Sequence, residues 1–320
     1  MQLDDLAARV MSYADANRFG DEPVATPVAG LKMVRSRVPS TSTPTIYRPL
    51  FCLVLQGTKQ LVVGRNTLNF GRMESLVVSV DVPVLGRVID ASPEQPYVAL
   101  ALDLDMAELR GLVHEARFPA GDMAGCAAQT LAGDEQIVDA MRRLFALTER
   151  PEAVPVLRPL IVREIHYWLL NSRHGAMLKD LAHTNTHAAQ IARAIARIKG
   201  EFTSPLRVAE LARVAGMSVS AFHEHFRSVT GTTPLQFQKQ LRLTEARHLL
   251  MNAGYSVSGA AFKVGYESPS QFSREYTRQF GVSPSKDLAG AMAATRSIPW
   301  NGHAIPAEVV QNAWLAEGTA

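Results

Sequence analysis

The chain has 320 residues, 47% of them apolar and 20% charged, with a formal net charge of +3 and only two cysteines, Cys52 and Cys126. That length leaves room for two domains with a core each, and so few cysteines exclude a disulfide scaffold and a structural zinc site built on thiolates. The charge is unevenly spread: residues 1–189 hold 19 Lys/Arg against 21 Asp/Glu and residues 190–290 hold 13 against 7, so a basic segment that suits a polyanion follows a nearly neutral one.

The opening MQLDDLAARVMSYADAN carries early acids and no long apolar run, so a signal peptide is not expected there. It predicts a short amphipathic helix with Leu3, Leu6, Val10 and Tyr13 on one side. No apolar run approaches the roughly 20 residues of a membrane span, and a cytoplasmic location is expected. From Leu31 to Asp103 the pattern turns to short apolar runs such as LFCLVLQG, SLVVSVD and YVALALDLD, separated by Gly, Pro, Asn and Ser. That spacing predicts an antiparallel sandwich or barrel. VVGRNTLN reads as a tight hairpin turning at Gly64 to Asn66. In GRMES, residues 71–75, the glycines a turn would favour are fewer than expected.

Helical periodicity takes over after Asp105, over MAELRGLVHEA, EQIVDAMRRLFALTE and VLRPLIVREIHYWLLN. In the last of these Leu157, Leu160, Ile161, Ile165, Trp168 and Leu169 form a stripe expected to pack on the barrel or on a second subunit. The small, polar stretch GAMLKDLAHTNTHAAQ holds the connection between domains.

The basic segment contains an internal repeat. Residues 216–234 read GMSVSAFHEHFRSVTGTTP and residues 265–284 read GYESPSQFSREYTRQFGVSP. Ser220, Phe222, Phe226, Gly231 and Pro234 meet Ser270, Phe272, Tyr276, Gly281 and Pro284 at a constant offset. Each copy is punctuated as a short helix entered by a turn. Gly216 and Gly265 supply the positive φ, Ser218 and Ser268 the N-cap, and Gly231 and Gly281 the C-terminal stop. In the second copy Pro269 at N1 and Gln271 at N3 predict a capping box. The aromatic pairs define one buried stripe. Ser220, Glu224 and Arg227 face outward in the first copy, Ser270, Arg274 and Thr277 in the second, with His223, Gln271 and Arg278 beside them.

A helix with small polar, amide and guanidinium groups outward suits a DNA groove. The DNA-binding candidates are Ser220, His223, Glu224, Arg227, Ser270, Gln271, Arg274 and Arg278. Arg274 has the fork for guanine and Gln271 the amide for adenine; Ser270 and His223 suit base edges or ordered water. Glu224 could accept from a cytosine amino group or repel phosphate, and Arg227 and Arg278 suit phosphate. Against these stand weaker signals. His183 and His187, four apart, lack a third ligand; Cys52 lies in an apolar strand; Asp81 and Asp103 sit at strand ends where they could meet a ligand or cap a turn. No GxSxG, P-loop or HExxH occurs, so no catalytic residue, metal or cofactor is assigned.

The second copy closely resembles the signature of the AraC/XylS family of bacterial transcription regulators, and the resemblance covers roughly residues 190–290. It implies two helix-turn-helix units joined by a long helix, both recognition helices entering successive major-groove segments on one face of DNA. CLVLQG, VVSVDVPV and ASPEQPY resemble the family's N-terminal domain, a cupin-like barrel that implies a small-molecule effector. The first histidine of the chain, His114, follows the last of the β segments, so a metal-dependent cupin enzyme is not expected.

The expected fold is α+β. Residues 1–180 form a cupin-like antiparallel β-barrel with flanking helices that senses an effector and dimerises; 181–189 form a linker; 190–294 form an all-α domain with two helix-turn-helix units; 295–320 form a flexible tail. The expected function is promoter-specific regulation of transcription, activation by the resemblance, with double-stranded DNA, a small-molecule effector, RNA polymerase and a second copy of the chain as partners. The effector's class and its contacts are not legible in the sequence.

Overall fold

The computed structural model describes residues 2–118, 127–183 and 186–296; Cys126 and the tail from residue 297 onward lie outside the described residues. The chain opens with α1 (Gln2–Ala16), then β1 (Val24–Ala25), β2 (Leu31–Ser36), β3 (Thr43–Tyr47), β4 (Leu50–Gln56), β5 (Thr58–Val63), β6 (Asn66–Gly71), β7 (Glu74–Val78), β8 (Val82–Asp90) and β9 (Tyr97–Asp103). There follow α2 (Met106–Glu115), β10 (Ala128–Ala132), α3 (Glu135–Ala146), α4 (Val154–Asn171) and α5 (Gly175–Ala182). The strands pair antiparallel throughout, as one sheet in the order β1-β2-β9-β4-β7-β10 and another in the order β3-β8-β5-β6. The expected antiparallel β fold is therefore present, but as two facing sheets and not as a closed barrel.

The unbroken apolar runs of β4 and β9 are explained by their place in the middle of the larger sheet, with both faces covered. Phe51, Leu53, Leu55, Val98, Leu100 and Leu102 point to one side, where α1 to α5 pack. Leu50, Cys52, Val54, Tyr97, Ala99 and Ala101 point to the other, into the space between the sheets. On α1, Leu3, Leu6 and Val10 are buried as the periodicity predicts, and Tyr13 packs against the same core.

Two details differ from expectation. Only part of the α4 stripe is buried: Ile161, Ile165 and Leu169 are inside, with Val162 and Leu170, whereas Leu157 and Leu160 are 41% and 62% exposed and Trp168 is half-buried. Consecutive helical residues are about 100° apart, so Leu160, one position from Ile161, turns away from the core. In GRMES the turn is made without an extra glycine. Met73 itself takes the left-handed conformation at φ 64°, and the Glu74 carboxylate accepts from the Gly71 amide at 2.7 Å. The hairpin between β5 and β6 turns on Gly64 and Arg65, with Gly64 at φ +59°.

The remaining helices are α6 (His187–Gly200), α7 (Val208–Ala215), α8 (Val219–Thr230), α9 (Pro234–Asn252), α10 (Val257–Lys263), α11 (Pro269–Phe280) and α12 (Pro284–Arg296). The core between the sheets continues through Ile191, Ile195, Leu211, Phe222, Phe226 and Phe237, so the first helix-turn-helix shares it with the sandwich. The second unit has its own core of Leu243, Ala246, Leu250, Ala260, Tyr266, Phe272 and Tyr276. Helix α9 thus contributes Phe237 to one core and Leu243 onward to the other, which is why its sequence shows no single apolar face.

Candidate nucleic-acid interface

The two repeat copies fold alike because each carries the same local instructions. Helices α7 and α8 form one helix-turn-helix and α10 and α11 the other. Ser218 caps α8 by accepting from the Ala221 amide at 3.2 Å, and Ser268 caps α11 by accepting from Gln271 at 3.4 Å. Gly216, Gly231, Gly265 and Gly281 all have positive φ. The aromatic pair on each helix is buried and equivalently arranged, with ring centroids 5.5 Å apart for Phe222/Phe226 and 5.5 Å for Phe272/Tyr276. Those anchors fix which side of each helix faces out.

All eight candidate DNA-contacting residues are exposed: Ser220, His223, Glu224 and Arg227 on α8, and Ser270, Gln271, Arg274 and Arg278 on α11. Arg227, Arg274 and Arg278 have no acidic partner among the described residues. Arg213 and Lys263, on the helices that precede the turns, are also exposed and have no acidic partner among the described residues. The sequence reading missed these two, although the basic excess of the segment was a signal for them. By contrast Lys199, Lys239 and Arg247 are neutralised by Asp81, Glu275 and Asp287.

The capping box predicted for α11 is half made. Gln271 turns its side-chain amide forward and donates to Glu275 at 3.3 Å. Glu275, one turn on, is buried and also accepts from Lys239 at 2.9 Å and from the Tyr266 hydroxyl at 2.8 Å. Burial works to raise the Glu275 carboxyl, but these donors outweigh it and hold its pKa below the usual range. The recognition helix is thereby tied to α9. Arg242 of α9 donates to the carbonyls of Phe202, Thr203, Ser204 and Gly265, which pins the second turn. Gly265 could be nothing larger, since a Cβ there would lie 2.2 Å from the Thr203 carbonyl.

The sandwich touches the first recognition helix directly. A Cβ on Gly64 would lie 2.6 Å from the Gly231 Cα, so the β5–β6 turn rests on the backbone that ends α8. Asp81, open between ligand contact and capping in the sequence, pairs with Lys199 of α6 at 2.6 Å; Asp103 pairs with Lys32 at 2.7 Å. Beside the glycine contact lies a cleft of about 200 Å3 lined by Val63, Arg65, Leu68, Arg227, Val229 and Gly231, among others. Between the sheets, Lys59 donates to the Tyr47 hydroxyl at 2.9 Å, and the buried Tyr97 hydroxyl lies beside the Cys52 thiol with no partner at full hydrogen-bonding geometry among the described residues. Burial raises the Cys52 thiol to about 11, which leaves it protonated and poorly nucleophilic. His183 lies against the Phe118 carbonyl at 3.2 Å, and His187 stacks on His225 of α8 with centroids 3.9 Å apart. Among the described residues no group of three His, Cys, Asp or Glu could hold a metal ion.

Two family models match the chain: the AraC-type transcriptional regulator N-terminus over residues 27–177 and a helix-turn-helix domain over residues 211–289. The chain belongs to the AraC/XylS family of transcription regulators. It is 29% identical over 156 residues to the virulence regulon transcriptional activator VirF of Yersinia enterocolitica, covering 48% of this chain and 57% of that protein. It is 28% identical over 163 residues to the transcriptional activator RhaS of Escherichia fergusonii, covering 50% and 58%. The chain therefore spans little more than half the length of these relatives. Crystal structures of ToxT from Vibrio cholerae share the fold. The complex with an unsaturated fatty acid has a TM-score of 0.54 at 10% identity, over 84% of this chain and 96% of ToxT. The complex with (E)-4-(8-methylnaphthalen-1-yl)but-3-enoic acid has a TM-score of 0.55 at 12% identity, over 82% and 99%.

Proposed function

We propose that the chain is a sequence-specific, double-stranded DNA-binding regulator of transcription, acting as an activator under the control of a small-molecule effector. The observation that carries this reading is the pair of equivalent recognition helices, each with buried aromatics behind and, in front, exposed polar groups and guanidinium groups without an acidic partner among the described residues. Arg274 and Gln271 read base edges, with Ser270, His223, Ser220 and Glu224 as further base-edge or water contacts. Arg227 and Arg278 hold phosphate and set register. Binding-site selection with the full chain at stated salt tests this. Enrichment of one motif is expected, and a selected pool no different from random duplex overturns it.

Effector control is supported by the cluster of polar groups between the sheets, where Lys59 donates to the Tyr47 hydroxyl and the Tyr97 hydroxyl lies beside Cys52. A ligand acts only through unequal affinity for DNA-competent and incompetent arrangements. Thermal shift of the full chain against a metabolite panel checks it, since a ligand at 100 times its Kd stabilises by about 2.7 kcal/mol. A homodimer is supported by the exposed Val156, Leu157, Leu160 and Tyr167 of α4, an apolar face that a second copy would cover. RNA polymerase is the further partner of an activator. The cytoplasm is the compartment this reading requires, and among the described residues no helix is long and apolar enough to cross a membrane. An enzymatic sandwich is the rival reading; turnover of any panel member by the purified chain would favour it.

A further inference from the structure

The DNA reading gives no role to Arg242, near the middle of α9, yet its guanidinium stands where the two helix-turn-helix units meet. Nε donates to the Phe202 carbonyl at 2.6 Å, and Nη2 to those of Thr203 and Ser204 at 2.9 and 3.0 Å; these residues lie in the loop from α6 to α7, the entry to the first unit. Nη1 donates to the Gly265 carbonyl at 2.9 Å, in the turn of the second unit. Both sets of carbonyls lie just beyond helix C-termini, those of α6 and α10, where unpaired C=O groups and the helix dipole favour a cation. The units are also in close contact around this point. Gly265 reaches the Thr203 carbonyl only because it lacks a Cβ, Phe202 packs against the core of the second unit, and Gln238 donates to the Phe202 and Ser204 carbonyls at 3.0 and 2.7 Å. The first turn has no such anchor, since a Cβ on Gly216 would meet nothing nearer than Gln190 Nε2 at 4.0 Å.

We propose that Arg242 is a positioning residue that sets the rotation of the second recognition helix relative to the first, so that α8 and α11 address one duplex in fixed phase. This rests on the reading that both helices enter DNA; Arg242 itself touches neither base nor phosphate and acts through the backbone that carries α11. The physical reason is directionality. Apolar packing is non-directional and would let a unit roll on α9. Four charge-assisted bonds from one planar fork to both units hold a single orientation.

The test uses the full chain and a duplex recovered by binding-site selection, with affinities from fluorescence anisotropy. Further duplexes carry each half of the selected site alone, or the whole site with one base pair inserted between the halves, which turns them apart by roughly 35°. That insertion should weaken binding of the parent about tenfold or more, because two linked contacts gain from each other only when both can be made at once. Arg242→Met keeps the apolar stem and removes every donor. In it the insertion should cost less than about threefold, the uninterrupted site should bind about tenfold more weakly, and each half should bind within about twofold of the parent. Arg242→Lys, whose ammonium lacks the fork, should lie between. Gln238→Met, which leaves the Gly265 bond intact, should keep the parent's dependence on spacing. Loss on halves and whole site alike with an unchanged insertion penalty would mean a structural role only and overturns the proposal. A salt slope on the second half lowered by about one also overturns it, since Arg242 would then be a phosphate contact. If Arg242→Met shows no cooperative urea transition, Arg242→Lys decides by the same penalty, and a value equal to the parent's rejects the proposal. Selection that enriches no motif strikes the DNA reading itself. A motif of one block, or a parent indifferent to the insertion, strikes this inference and leaves that reading standing.

Discussion

Two exposed arginines of one residue type carry opposite expectations. Arg274 lies mid-helix on α11, whereas Arg227 lies near the C-terminal end of α8 beside the sandwich. Arg274→Ala should relax preference at one base position and cost about 1 to 3 kcal/mol there. Arg227→Ala should weaken all duplexes alike and reduce the salt slope by about one. Selection and salt titration on each variant decide, and the reverse pattern would exchange their roles. A second residue-scale expectation concerns His174, which is buried, faces Ser75 at 2.9 Å and has no partner for its other ring nitrogen among the described residues. Burial depresses its pKa from 6.5 to about 4. Between those values the unfolded chain takes up a proton that the folded chain refuses, so stability present above pH 6.5 is lost as the pH falls toward 4. The loss approaches about 3 kcal/mol. Urea melts from pH 7 to 4 should show it, and His174→Gln should flatten that part of the slope.

At the scale of elements, Gly231 and Gly281 are matched experiments made by the repeat. Both end a recognition helix in the left-handed region, at φ +72° and +73°. A Cβ on Gly281 meets nothing within 4 Å, whereas one on Gly231 would lie 2.6 Å from Gly64. Gly281→Ala should therefore cost only the conformational term, about 1 to 2 kcal/mol. Gly231→Ala should exceed it by about 1 to 3 kcal/mol through overpacking, or release the hairpin from α8. Denaturant melts compare the two, and equal costs would mean that the glycine contact contributes nothing. The caps and aromatic stripes of α8 and α11 were readable from local spacing, because an N-cap serine, a C-terminal glycine and an i, i+4 aromatic pair act within one helix. The failed half of the capping box was not readable. Gln271 has a competing acceptor in Glu275, and Glu275 is held inward by Lys239 and Tyr266 from elsewhere in the fold.

Across the whole molecule, α9 spans 19 residues, a rise of roughly 28 Å at 1.5 Å per residue, and its ends are anchored in two different cores. That length is comparable with the roughly 34 Å of one DNA turn, so the two helix-turn-helix units are expected to bind in fixed phase. Inserting five base pairs between the two halves of a selected site should place them on opposite faces of the duplex. Affinity should drop to that of a single half, and gel-shift or anisotropy titration checks it; unchanged affinity would mean that the halves are not held in fixed phase. The shared core from the sandwich through Phe222, Phe226 and Phe237 likewise packs the sandwich and the first helix-turn-helix into one unit, the contact through which the proposed effector would act.

The sequence by itself determined what depends on near neighbours in the chain: the duplicated helix-turn-helix, its caps and stripes, the basic segment, the antiparallel β texture and the outward faces of α8 and α11. The tertiary structure alone decided what depends on residues far apart. It left the sheets as two facing layers, turned Leu157 and Leu160 outward, paired Asp81 with Lys199 and Asp103 with Lys32, and set Gly64 on Gly231. The physical reason is range. Capping bonds and helical periodicity are written within a few residues, whereas a close backbone approach needs two small residues that only the packed chain brings together.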